Sequence, residues 1–390
     1  MSKVVIVGAR RTAIGSFQGQ FSEVPADELG AAAIRGAIAH AGISPDAVDE
    51  VLMGCVLTAG IGQAPARRAA RKAGVPDSAG AVTINKVCSS GLKAIMLGAD
   101  GIRAGSAEIV VAGGMESMTR SPYLMPKARS GYRMGHQEVL DHMFTDGLQD
   151  PDDGLMMGVY GEQCADKYGF TREQQDAYAM ETVKRAQRAM DSEFPAEITP
   201  VTVTSRHGAT VVDRDEEPPR CDIGKIPTLR PAFRKDGTVT AANASKISDG
   251  AATTVLMSEE KARELGVTPL ATVIAHATHS QAPEWFTTAP VGAIAKVLEK
   301  AGWAVADVDL FEINEAFAAV TMAAMHEHGL EHARVNVNGG ACALGHPIGA
   351  SGARLVVTLI NALQQRGMKR GIVSLCNGGG EATALAIELP

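Results

Sequence analysis

The segment AVTINKVCSSGLKAIMLGADGIRAGSAEIVVAGG, residues 81–114, decides the fold class. Residues 81–87 form an apolar run that reads as a strand. Residues 89–104 place Leu92, Ile95, Met96, Ala99 and Ile102 at helical spacing, so one face of a helix is apolar. Residues 109–112 read as a second strand, closed by Gly113-Gly114. Upstream the same alternation holds, with strands expected over 4–7 and 50–56 and helices over 26–41 and 64–73. Strands alternating with amphipathic helices argue for an α/β fold with a mostly parallel sheet.

The plan recurs near the C-terminus. Ser351-Gly352 opens a helix carrying Leu355, Leu359, Ile360 and Leu363, and residues 371–375 are a strand ending in Cys376 and glycines. The order and spacing match those of Ser90-Gly91, its helix and the strand at 109–112, which predicts an internal duplication. Between the copies, residues 119–243 are rich in Asp, Arg, Pro and Gly. They hold one long helix, expected from Thr171 to about Met190 with Gln174 completing a capping box. A hairpin is expected over 201–204 and 210–212, around Arg206-His207-Gly208.

At 390 residues, two or three domains are the prior. Lys and Arg number 37 against 44 Asp and Glu, a net charge of −7 that disfavours a nucleic-acid partner. No segment has the length of a membrane span, and the N-terminus reads as a strand and not as a signal peptide. Six scattered cysteines without a CxxC pair predict reduced thiols and a cytoplasmic location.

Two of those cysteines stand apart. Cys88 lies in Asn85-Lys86-Val87-Cys88-Ser89-Ser90-Gly91, and Cys376 in Ser374-Leu375-Cys376-Asn377-Gly378-Gly379-Gly380; each is a strand running into a turn. His346 sits in its own glycine-rich turn, Gly345-His346-Pro347, and Asn314-Glu315-Ala316-Phe317 lies upstream. Two thiols and a histidine in such turns make a nucleophile with an acid–base partner the leading reading. Cys88 also stands at the start of an expected helix, where the dipole favours a thiolate. Cys55, Cys164, Cys221 and Cys342 read as small buried hydrophobes. The other histidines read as surface residues; His326-Glu327-His328 is not HExxH, and no metal site is expected.

At these motifs the sequence resembles the thiolases, on their acetyl-CoA acetyltransferase branch. The resemblance also rests on Gly113-Gly114-Met115-Glu116-Ser117-Met118, on residues 238–245, and on Gly345-His346-Pro347-Ile348-Gly349-Ala350-Ser351-Gly352, and it spans essentially the whole chain. It implies duplicated α/β halves, each with a five-stranded mixed sheet, plus an inserted loop domain. The boundaries are 1–118 continued by 244–268, 119–243 for the insertion, and 269–390.

The activity implied is the reversible joining of two acetyl-CoA to acetoacetyl-CoA and CoA by a ping-pong route through acetyl-Cys88. His346 takes the proton of Cys88, and Cys376 is the general acid/base. One oxyanion hole is His346 with a water held by Asn314; the other is the backbone N–H groups of Cys88 and Gly378. Arg220 and Lys225 match positions near the nucleotide end of CoA, Ser245 a pantetheine contact, and Met157 a position lining the acyl pocket. CoA is a co-substrate, no cofactor is held permanently, and a homotetramer is expected.

Three departures bear on specificity. Met156 replaces a His found in many acetoacetyl-specific members, Val183 replaces the Tyr of potassium-dependent ones, and Thr287 follows Phe286 where relatives accepting 2-methyl-branched substrates have Pro. The rival readings are a broad 3-ketoacyl-CoA thiolase and a non-catalytic acyl-CoA-binding paralogue. A decarboxylating ketoacyl synthase is disfavoured by Cys376. A dinucleotide-binding oxidoreductase is disfavoured because no GxGxxG follows the first strand.

Overall fold

The computed structural model describes residues 3–206 and 208–390. Met1 and Ser2, ahead of the first expected strand, and His207, in the expected hairpin turn, lie outside the described residues.

One mixed sheet carries the fold. Its nine main strands are β1 (Val4–Arg11), β2 (Glu50–Gly54), β3 (Gly80–Ile84), β4 (Ile109–Ser117), β5 (Ser248–Ser258), β6 (Ala271–Ser280), β7 (Leu310–Ile313), β8 (Arg370–Asn377) and β9 (Glu381–Glu388). They lie in the order β7-β8-β9-β6-β1-β5-β4-β2-β3, with a short strand, Gly15–Ser16, added beside β5.

The duplication is visible in the pairing. In the first half β2 runs parallel to β4, and β5 is antiparallel to both β4 and β1. In the second, β7 runs parallel to β8, and β9 is antiparallel to both β8 and β6. The halves join edge to edge where Val4 of β1 pairs with Val273 of β6. The first half has its five strands. In the second, the fifth place, occupied by β3 in the first, is reduced to an isolated parallel bridge between Phe311 and Val335. Asn336, at positive φ, turns the chain away after that single pair.

The helices follow the alternation: α1 (Ala26–Ala41), α2 (Pro65–Lys72), α3 (Ser90–Ala104), α4 (Met157–Tyr168), α5 (Arg172–Ala189), α6 (Glu259–Leu265), α7 (Ala289–Ala301), α8 (Ala318–His328), α9 (Ala341–Leu344) and α10 (Ile348–Arg366). Helices α1 and α2 close a core with Val5, Val7 and Val111. Helix α7 does the same over Phe311 and Ile372. Helices α3 and α10 share one core with strands of both halves, Leu92 and Leu355 lying with Val110, Val373 and Leu385.

The pair α3 and α10 touches at backbone distance. A Cβ on Gly91 would stand 2.9 Å from the carbonyl oxygen of Gly349, and one on Gly352 would stand 2.5 Å from the amide nitrogen of Leu92. This is why each copy opens its helix with Ser-Gly: only a residue without a side chain admits the neighbour. The same cause corrects one sequence expectation. Strand β4 does not end at Ala112 but runs to Ser117, because Gly113 and Gly114 admit the backbone of Ala252 and Gly349 instead of turning the chain.

Between β4 and β5 the described residues add no strand to the main sheet. It forms α4 and α5, and a hairpin of strands Val201–Ser205 and Gly208–Val212. Helix α5 begins with the anticipated reciprocal cap: Gln174 N–H donates to Thr171 Oγ1 at 3.3 Å, and Thr171 N–H to Gln174 Oε1 at 2.9 Å. Among the described residues no helix is long and apolar enough to cross a membrane.

Candidate active site

The loops that precede the two central helices carry two of the candidate residues. Cys88 stands just before α3, and His346 just before α10. The Cys88 turn is held in an unusual shape. Val87, a β-branched residue, sits at φ +47°, a conformation such residues avoid. Side chains on either side fix it. Asn85 Oδ1 accepts the N–H of Val87 at 2.9 Å. Ser90 Oγ donates to the Val87 carbonyl at 2.6 Å and accepts from Lys86 N–H at 2.8 Å.

The turn is also tied to the other half. Lys86 pairs with Glu381, which accepts in addition from Ser280 Oγ. Thr383 Oγ1 donates to Ser89 Oγ at 3.0 Å. Both Glu381 and Thr383 lie on β9, opposite Asn377 and Leu375. The Cys88 turn is therefore clamped to β9, the strand paired with the one that carries Cys376.

Burial pushes the Cys88 thiol up to about 12, while the N–H groups of Cys88 and Gly378 pull the other way. The helix start favours the thiolate, as the sequence suggested, but burial works against it. Desolvation outweighs the dipole, so the thiol is neutral and needs a base. Cys376 is fully buried, and burial and then the nearby Cys88 sulfur raise its pKa far above the ordinary thiol value. Around it pack Tyr160, Phe286, Phe317 and Val320, with Met157 at the edge. Gly378 lies between Met157 and Val87: a Cβ there would be 3.7 Å from Met157 Sδ and 3.9 Å from Val87 Cγ1.

His346 is buried, and its main-chain N–H donates to the Lys246 carbonyl at 2.9 Å. Its Nδ1 is 2.5 Å from Ser351 Oγ, and Ser351 Oγ donates to the Pro347 carbonyl at 3.0 Å. A serine has one hydroxyl proton. With that proton donated to the Pro347 carbonyl, Ser351 Oγ accepts from Nδ1–H, which leaves Nε2 unprotonated. Burial, assisted by the Arg354 guanidinium, depresses the His346 pKa to about 3, so the ring is neutral. Asn314 Nδ2 approaches Nε2 at 3.4 Å, and its buried Oδ1 has no partner among the described residues. Asn314 is placed by β7, its N–H donating to Ser374 on β8 at 3.0 Å.

Two buried carboxylates frame these loops; their motifs were legible in the sequence but their roles were not. Glu116 accepts from the N–H groups of Val56, Leu57 and Gly349 at 3.0, 3.1 and 2.9 Å. Burial nevertheless pushes its pKa up to about 7. Glu315 accepts from Tyr178 and Thr182 of α5, from Asn336 Nδ2 and from Cys342 N–H, all within 3.0 Å. It fastens the inserted helix to the Asn314 turn and to α9.

The remaining candidates lie elsewhere. Arg220 and Lys225 line a separate pocket of about 280 Å³, together with Cys221, Ala241 and Lys246. Ser245, half-buried, is next to Lys246, its N–H donating to the Ala316 carbonyl at 2.9 Å. Cys221 is half-buried at this pocket, not fully buried, and packs against the core around Val183 and Ile226. His142 also departs from the surface reading. It is buried, with Nδ1 at 2.5 Å from Asp146 Oδ2, and Nε2 accepting the Ala59 N–H at 3.3 Å. Asp146 lies one helical turn from His142 in sequence, but Ala59 is 83 residues away, and that second partner is not signalled by the local sequence.

The chain matches the family model of the thiolase N-terminal domain over residues 4–260 and that of the thiolase C-terminal domain over residues 267–389. It is 50% identical over 390 residues to an acetyl-CoA acetyltransferase of Pseudomonas aeruginosa, with 99% of each chain covered. It is likewise 50% identical over 391 residues to one of Cupriavidus necator, with 100% of each covered. Among solved structures it matches the Bacillus anthracis acetyl-CoA acetyltransferase with a TM-score of 0.98 at 43% identity, covering 100% of this chain and 99% of that one.

Proposed function

The chain belongs to the thiolase family of acyltransferases, and on that premise we propose that it is an acetyl-CoA C-acetyltransferase acting through an acetyl-Cys88 intermediate. The observation that carries the reading is the buried Cys88 thiol facing the N–H of Gly378, with Cys376 beside it and a neutral His346 whose Nε2 carries no proton and meets only Asn314 Nδ2 among the described residues.

The proton inventory closes over one cycle. His346 Nε2 takes the Cys88 proton as the sulfur attacks the thioester carbonyl of the first acetyl-CoA. The negative charge on that oxygen meets Nε2–H and the water that Asn314 Oδ1 is free to hold. As the C–S bond breaks, Cys376 gives its proton to the departing CoA sulfur. The resulting thiolate is a strong base because its pKa is raised. It removes an α-proton from the second acetyl-CoA, whose carbon attacks acetyl-Cys88. The oxyanion then lies at the N–H groups of Cys88 and Gly378. The Cys88 sulfur leaves and recovers its proton from His346, releasing acetoacetyl-CoA.

The insertion at residues 119–243 supplies Arg220 and Lys225 for the nucleotide end of CoA, Ser245 meets the pantetheine arm, and Met157 lines the acyl pocket. Residues 1–118 with 244–268, and 269–390, form the two halves that bring the loops together. No permanently bound cofactor takes part; CoA enters and leaves as co-substrate. We place the enzyme in the cytoplasm as a homotetramer. Edge strand β3 exposes Val82, 46% accessible, and Met125, Met134 and Val139 are exposed in the insertion, surfaces suited to cover by other copies. Light scattering that gave a monomer would overturn the assembly.

The activity is tested by CoA-dependent cleavage of acetoacetyl-CoA beside 3-ketohexanoyl- and 3-ketooctanoyl-CoA. Preference for the four-carbon substrate is expected. Equal cleavage of the longer ones would move the assignment to a broad 3-ketoacyl-CoA thiolase, in keeping with Met156 at the start of α4. No cleavage of any would remove the reading.

A further inference from the structure

The pocket that holds Arg220 and Lys225 contains a third cation, Lys246, and the three are not equivalent. Arg220 is 60% exposed and pairs with Glu216 at 3.3 Å and Glu217 at 4.0 Å. Lys225 is 75% exposed and pairs with Asp222 at 3.3 Å. Lys246 is half-buried, and among the described residues its ammonium has no carboxylate partner. It donates instead to two neutral acceptors, the Ala241 carbonyl at 3.1 Å and the Cys342 carbonyl at 2.8 Å.

An ammonium makes three hydrogen bonds, so one N–H of Lys246 is left over. Of the pocket-lining side chains, Arg220, Lys225 and Lys246 are cationic, and Glu217 and Asp222 are anionic. The surplus positive charge thus sits on the residue whose position two carbonyls already fix. Beside it, Val183, Ile226, Leu229 and Ala242 give the pocket an apolar wall. An apolar wall next to one uncompensated, pre-positioned cation suits a ligand with a flat base and a phosphate.

We propose that Lys246 is the residue that binds a phosphate of the CoA nucleotide, with Arg220 and Lys225 as weaker, already neutralised neighbours. The inference rests on the reading of CoA as substrate and adds a binding residue to it. The same residue has a second attachment. Its carbonyl accepts the N–H of His346, and its ammonium holds Cys342 on the short helix leading into that turn. A purely structural role for Lys246 is therefore the alternative to be separated.

The separation uses two substrates. In K246M, kcat/KM for acetoacetyl-CoA is expected to fall roughly tenfold, the scale of one charge-assisted hydrogen bond. For acetoacetyl-pantetheine, which lacks the nucleotide, it changes little. K246R, which keeps the charge, recovers most of the loss, and R220A loses less than K246M. The affinity for CoA itself, read by titration calorimetry, falls by the same factor in K246M. Equal losses on both substrates, or no loss with acetoacetyl-CoA, overturn the proposal. Because calorimetry needs no turnover, a chain that binds CoA in a Lys246-dependent way yet cleaves no thioester would sink the functional reading alone.

Discussion

His346 has two ring nitrogens, and its neighbours leave only one of them as a base. Ser351 Oγ spends its proton on the Pro347 carbonyl and so accepts from Nδ1. Removing that acceptor unfixes the tautomer without touching substrate. S351A is therefore expected to lower kcat by roughly 10- to 100-fold, below the 10²–10⁴ typical of losing the base itself. S351T, which keeps the hydroxyl, is expected to restore most of it. Nitrogen chemical shifts of His346 give the independent readout: Nδ1-protonated in the wild type, mixed in S351A. Full activity in S351A with an unchanged tautomer would refute the role. The motif holding Ser351 was plain in the sequence, but its bond to the histidine depends on the first turn of α10 folding back over Pro347.

At the level of elements, the paired helices α3 and α10 set the spacing of the site, since Cys88 and His346 sit at their N-terminal ends. Their contact has no room for a methyl group at Gly352, which faces the backbone of Leu92. G352A is expected to destabilise the fold by about 1–3 kcal/mol, the cost of overpacking a tight contact. A denaturant titration with unchanged m-value would measure it. An alanine tolerated without loss would mean that the helices can separate freely. The sequence announced these helices through their spacing and their Ser-Gly openings. It did not announce that they touch, because contact between two helices some 260 residues apart is not encoded in the periodicity of either (residues 90–104 and 348–366).

Across the whole molecule, burial of ionisable groups sets the response to pH. Glu312 is buried beside Arg354, with Arg354 Nη1 at 3.3 Å, and its pKa is pushed up to about 8 because desolvation outweighs the guanidinium. A carboxyl raised from 4.5 to about 8 holds its proton in the folded chain after the unfolded chain has released it. Its stabilising contribution is present below the lower value and is lost as pH rises through the higher. His346 has the opposite sign: depressed from 6.5 to about 3, it costs stability as pH falls through that window. Melting temperatures between pH 5 and 9 are expected to fall less in E312Q than in the wild type. Equal slopes would mean that Glu312 is ionised throughout. By itself, the sequence determined the α/β class, the duplication and the family resemblance, and it singled out Cys88, Cys376, His346 and Asn314 as the candidate reactive set and Arg220 and Lys225 as candidate cations for the nucleotide. Residue type and local spacing carry that information, since a glycine-rich turn after a strand and a helical stripe are short-range patterns. Only the tertiary structure decided that burial raises the Cys88 thiol pKa, that Ser351 meets His346 Nδ1, and that Lys246 has no carboxylate partner among the described residues. Each depends on what solvent is excluded and which distant backbone arrives, and those are properties of packing rather than of any one stretch of chain.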